Sequence, residues 1–92
     1  MTDRRYELII APTAKKQLAE QLPESVAFAA YEFIIGPLLD NPHRVGKPLG
    51  PPLHDRYSAC RGTYRVIYRI DDELQQVTVV GVLSRADAYR AR

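Results

Sequence analysis

Apolar and polar positions follow a helical period in the first half of the chain and a strand period in the second. Residues 6–11 read as a short opening strand. Pro12-Thr13 then starts a helix, with Thr13 as its cap and Ala14, Leu18 and Leu22 on one face at i, i+4, i+8. Lys15, Lys16 and Glu20 occupy the other face. Pro23 ends that helix and begins the next within its first turn. Val26, Ala29, Ala30, Phe33 and Ile34 form a broad apolar stripe, which Gly36-Pro37 is expected to bend or stop. So short a junction predicts an antiparallel helical hairpin.

Between residues 40 and 55 the composition changes. Pro42, Gly46, Pro48, Gly50, Pro51 and Pro52 exclude regular structure over most of it, leaving a long loop of the kind that is functional or crosses to a new layer. Three strands follow, at residues 56–60, 63–70 and 75–83. Gly62 marks a tight turn between the first two, and Asp71-Asp72-Glu73 turns the chain before the last. The predicted fold is α+β, in the order β-α-α-β-β-β, with the helical hairpin packed on one face of a small, mostly antiparallel sheet. Residues 84–92 form a polar tail with room for one helical turn. The 92 residues fit a single domain, 1–92.

Composition changes this picture little, and charge distribution changes it more. A hydrophobic fraction of 46% and a charged fraction of 26% are ordinary for a soluble protein. Cys60 is the only cysteine, so an internal disulfide is excluded and a reducing cytoplasm fits. Glu32 and Gly36-Pro37 interrupt the longest apolar run, which argues against a membrane span. Residues 1–50 carry six basic and six acidic side chains; residues 51–92 carry seven arginines, no lysine and five acids. Three of those acids, Asp71, Asp72 and Glu73, are expected at a turn tip away from the arginines. Guanidinium grips phosphate bidentately, where ammonium is a point charge.

Strand alternation separates Tyr64, Val66, Tyr68 and Ile70, the expected helix-facing set, from Arg65, Ile67 and Arg69 on the open face. A two-residue turn at Arg61-Gly62 would put Ser58 directly across from Arg65, with Cys60 on the same face.

Three stretches carry a resemblance. They are Arg61-Gly62-Thr63-Tyr64-Arg65-Val66-Ile67-Tyr68, the late Ser84-Arg85-Ala86-Asp87-Ala88-Tyr89-Arg90, and Asn41-Pro42-His43-Arg44-Val45-Gly46-Lys47-Pro48-Leu49. With the element order, they resemble the RelE family of toxins over nearly the whole chain. The resemblance implies a type II toxin that enters the ribosomal A site and cuts mRNA without a metal or other cofactor. The ribose 2′-hydroxyl attacks the neighbouring phosphodiester, leaving a 2′,3′-cyclic phosphate and a 5′-hydroxyl. Arg65 and Arg85 would hold the phosphate and stabilise its transition state, and Tyr89 would accept the 2′-proton or stack on a base. Arg61 would be a second phosphate ligand or leaving-group partner, and Arg56, Lys47 and Arg44 would contact RNA backbone. The implied partners are the ribosome and a RelB-like antitoxin, bound as a hetero-oligomer whose acidic amphipathic helix lies on the helical hairpin or in the groove beside it. In one respect the chain departs from the family pattern: Ser58 and Cys60 stand where two strand lysines are expected.

Other signals have a bland reading beside the chemical one. His43 and His54 form an acid–base pair only if geometry joins them, and exposed loop histidines are the simpler reading. Cys60 has no His-Asp set beside it and reads as a small buried or half-buried thiol. Tyr6, Tyr31, Tyr57, Tyr64 and Tyr68 fall at core-compatible positions. Two rival functions remain: a ParE-like poison of DNA gyrase, and a degenerate toxin that binds antitoxin and rRNA without cutting.

Overall fold

The computed structural model describes residues 5–52 and 55–84. Strand β1 (Glu7–Ile10) leads into α1 (Pro12–Lys16), which continues as a π-helical stretch, Gln17–Gln21. Then come α2 (Glu24–Phe33), its π-helical continuation Ile34–Leu38, and the short α3 (Pro42–Val45). The remaining elements are strands β2 (Lys47–Pro48), β3 (Tyr57–Arg61), β4 (Tyr64–Asp71) and β5 (Gln76–Ser84). One five-stranded sheet has the order β1-β5-β4-β3-β2, parallel between β1 and β5 and antiparallel elsewhere. The α+β architecture is the one expected, with one strand and one short helix added.

Helix periodicity gives the expected buried faces: Ala14 on α1, and Ala30, Phe33, Ile34 and Leu38 along α2 and its continuation. They pack on Val66, Tyr68, Val77, Val79 and Val82 of the sheet. Two helix ends differ from expectation. Ala11, not Thr13, occupies the cap of α1, because Pro12 lacks an amide and suits the first turn. Nor does Gly36-Pro37 stop the second helix. A π-helical turn, whose bonds reach one residue further, carries the chain through the proline's missing donor.

The stretch at 40–55 also holds more order than its prolines suggest. Pro42 starts α3 at its first turn, and Lys47–Pro48 pairs with β3 at the sheet's edge, where a proline is tolerated. On β5 a bulge beside Val80 shifts the register, so that Val82 pairs with Val66 but Val79 pairs with Tyr68. That extra residue lets Val77, Val79 and Val82 all face the core despite their changed parity. The amide of Val82, next to the bulge, donates to Gln17 Oε1 at 2.7 Å. No helix among the described residues is long and apolar enough to cross a membrane.

Candidate functional site

The β3–β4 hairpin decides which side chains share the sheet's outer face. Cys60 pairs with Arg65 and Arg61 with Tyr64, so the two turn residues are Gly62 and Thr63. Gly62, at φ +49, takes the left-handed conformation that glycine adopts without penalty. The expected Arg61-Gly62 turn is therefore corrected by one residue, and Ser58 lies across from Ile67 instead of Arg65. Cys60 does share the face of Arg65, and Arg65 Nε donates to Cys60 Sγ at 3.3 Å. The thiol is exposed, not buried or half-buried as expected.

Opposed residues of an antiparallel pair project to the same side. The outer face therefore gathers Lys47 (across from Ser58), Ser58, Cys60, Arg65, Ile67 and Arg69. Continuing the register one residue past Tyr57 and Tyr68 brings Arg56 opposite Arg69. Tyr64, Val66 and Tyr68 project to the helix side and are buried. Among the described residues, Lys47, Arg65 and Arg69 have no carboxylate within ion-pair distance, while Arg56 Nε lies 4.0 Å from Asp55. The acids Asp55, Asp71, Asp72 and Glu73 gather around a hollow at the Arg69 end. Among the described residues, the cations farther from those acids are therefore Lys47 and Arg65.

Arg61 is used differently. Paired with Tyr64, it turns to the helix side, donates to the carbonyls of Cys60 (2.7 Å) and Val45 (3.0 Å), and lies 4.7 Å from the Phe33 ring centroid. It thus fixes the end of α3. Arg44 is exposed on that same short helix. Arg85, Tyr89 and His54 lie outside the described residues.

Sequence reasoning missed a hydrogen-bonded chain at the far end of β4. Tyr6 donates to Asp72 Oδ1 at 2.6 Å, and His43 Nε2 meets the same carboxylate at 2.8 and 3.0 Å. Tyr57 Oη lies 3.4 Å from His43 Nδ1, and its ring stacks on Tyr68 at 5.7 Å. Hydrogen bonds from Tyr6 and then His43 hold the Asp72 carboxyl below its ordinary range, and the bond to that carboxylate pushes Tyr6 upward. Burial first, then the neighbouring Tyr57, pushes Tyr68 up to about 12, against the lowering pull of Arg61. The Tyr68 hydroxyl donates to the Pro42 carbonyl at 2.6 Å. His43 is exposed, as the simpler reading expected, and its bonds to Asp72 also fasten α3. Tyr31, expected at a core position, is instead 46% exposed, and Phe28 beside it on α2 is 64% exposed. Both line an apolar groove with Ile10, Leu18 and Ala27.

Among the described residues the sheet carries its helices on one face and cations on the other, and comparison with known proteins gives the class to which this arrangement belongs. Residues 8–89 match the family described as the ParE toxin of the type II toxin–antitoxin system parDE. The chain is 47% identical to toxin RelE of Mycobacterium tuberculosis over 88 residues, covering 96% of this chain and 90% of that protein. It is 46% identical to toxin RelG of the same organism, over 92% of this chain and 97% of the relative. The fold superposes on a chain of the crystal structure of the M. tuberculosis RelBE2 toxin–antitoxin complex with a TM-score of 0.84. Identity there is 43%, over 88% of this chain and 99% of that one. The chain belongs to the RelE family of the RelE/ParE toxins of type II toxin–antitoxin systems.

Proposed function

We propose that this toxin is a ribosome-dependent mRNA endoribonuclease of the cytoplasm, cutting by 2′-hydroxyl attack and so arresting translation. The observation that carries the reading is the outer-face set Lys47, Arg65 and Arg69, which have no carboxylate partners among the described residues. Cations without acidic partners on a sheet face that carries no helix among the described residues suit a polyanion. Arg65 and Arg85 hold the scissile phosphate and stabilise the charge that grows on it in the transition state. Tyr89 takes the 2′-proton. Lys47, Arg56 and Arg44 contact the RNA backbone. Arg61 supports the site from behind through the Val45 carbonyl, in place of the phosphate-ligand role its motif suggests.

The partner is a RelB-like antitoxin, as the relative crystallised as a RelBE2 complex suggests. The exposed Phe28 and Tyr31 give such a partner an apolar footing away from the cationic face. The ParE-type family match keeps one other reading in play, poisoning of DNA gyrase. A cell-free translation reaction tests both. Wild-type toxin should produce new mRNA 5′ ends within translated codons, read by primer extension, and Arg65→Ala, Arg85→Ala and Tyr89→Phe should abolish them. Intact mRNA together with gyrase-dependent DNA breaks would establish the gyrase reading instead.

A further inference from the structure

Arg65 and Arg69 stand on one strand and one face, yet their surroundings differ. Successive outward positions of β4 are Arg65, Ile67, Arg69 and Asp71, and all but Ile67 are exposed. Across from them on β5 lie Leu83, Gly81, Thr78 and Gln76, and Gln76 pairs in turn with Glu7 of β1. Arg65 therefore has an apolar neighbour on β5. Arg69 is followed along its own strand by a carboxylate, and Glu7 stands on the same row of the face two strands away.

Of the four acids around the hollow beside Arg69, two are committed to other partners. Asp55 lies 4.0 Å from Arg56, and Asp72 is bonded to Tyr6 and His43. Asp71 and Glu73 make no ion pair among the described residues. Distance then decides which cation they act on. Asp71 is two residues from Arg69, about 7 Å along the strand, and six from Arg65, about 20 Å. Screening at physiological salt sets in over about 8 Å. The field of Asp71 thus reaches Arg69 and has died away by Arg65. A phosphate that approaches Arg69 meets these carboxylates as well.

We propose that Asp71 and Glu73, backed by Glu7, are an electrostatic stop that keeps RNA phosphates off Arg69 and confines a bound strand to the Lys47 and Arg65 side of the face. The inference rests on the RNA reading above. Arg56, one strand nearer to Lys47 than Arg69 is, then makes the last backbone contact. Affinity for loose nucleic acid grows with the number of phosphates engaged, so a face shortened in this way holds free RNA poorly. It favours a strand that another surface presents to Arg65 already in place. The acids work by repelling the wrong ligand and add no contact to the right one.

The test is binding of a short single-stranded 2′-O-methyl RNA, which 2′-hydroxyl attack cannot cut, followed by fluorescence anisotropy over a range of salt. Asp71→Asn combined with Glu73→Gln removes two charges at nearly constant shape and keeps an acceptor for the Leu74 amide. This double variant should bind about 5-fold or more tighter than wild type, with the slope of log affinity against log salt steeper by about 0.7, the increment for one more phosphate on a single strand. Adding Arg69→Ala should cancel the gain, whereas Arg69→Ala alone should weaken wild-type binding by less than about 2-fold. Glu20→Gln with Glu32→Gln makes the same change of net charge in the helix layer and should leave affinity within about 2-fold of wild type. Thermal melting shows that each variant is folded. An Arg69→Ala loss equal in both backgrounds, a matching gain from the helix-layer pair, or an RNA bound by none of the proteins overturns the stop. Cutting of translated mRNA is a separate readout. Wild type that cuts, without coupling between Arg69 and the acids, keeps the nuclease reading and loses the stop; coupling without any cutting does the reverse.

Discussion

The two ends of β4 are built on opposite plans. At the Arg65 end, cations face solvent with no carboxylate within ion-pair distance among the described residues, and Arg65 donates to the Cys60 thiol of the neighbouring strand. At the Asp72 end, four side chains from separate segments close a chain of hydrogen bonds, and a fifth, Tyr68, ties the buried ring stack to α3. Among the described residues one end leaves its charge without acidic partners, while the other joins its polar groups to each other. The interlocking contacts are therefore concentrated away from the proposed RNA face, and the two should be separable by substitution.

The largest effect expected is at the open end. Arg65→Ala should lower mRNA cleavage by about 10²–10³-fold, the size of loss seen when one transition-state donor is removed. Its melting temperature should stay near wild type, because the guanidinium is exposed. A fall in melting temperature equal to that of a core variant would erase the distinction between the ends.

At the closed end the order reverses. Gly46→Val pushes a side chain into the Tyr68 hydroxyl and the Ser58 carbonyl, and should cost about 1–3 kcal/mol in chemical denaturation. Tyr68→Phe leaves the Pro42 carbonyl without its donor and should cost about 1–2 kcal/mol.

Two pH effects sharpen the same contrast. Tyr68 is raised in the fold, so its contribution is intact below the ordinary tyrosine value of 10.0 and is lost as pH rises toward about 12. Stability should fall over that window, and Tyr68→Phe should flatten the slope. Asp72 is lowered, so its contribution is present above the ordinary carboxylate value of 3.8 and is lost as pH falls below it. Asp72→Asn should remove that acid-side loss, the smallest effect of the set, with cleavage at neutral pH unchanged.

How much of this could be read from the sequence follows from the range of each interaction. Alternation along residues 63–70 gave the open and buried faces of β4, because a strand's period of two is local. Helix periodicity likewise gave the buried faces of Ala14 and Ala30. The hairpin register came out one residue early, since Arg61-Gly62 and Gly62-Thr63 both place a glycine in a two-residue turn. That small slip carried Arg61 from the phosphate face to the helix side. Strand β2 was missed because two residues, one a proline, carry no period at all. The chain from Tyr6 to Asp72 to His43 joins residues 66 and 29 positions apart, and nothing local announces it. The open-face position of Arg65 was legible, whereas the close approach of Gly46 to Tyr68, which fixes the backbone before Lys47, was not.

Strand β2 has a consequence for how the molecule behaves in a crowded solution. Leu49 donates its amide inward to Arg56, so the alternate position, Pro48, faces outward, where a further strand would seek a donor. Proline has none to give. With only two residues and no outward amide at Pro48, this margin of the sheet is a poor template for another chain, and growth by edge-to-edge stacking stops there. A segment that looks like a mere proline-rich connection thus also guards the sheet against self-association.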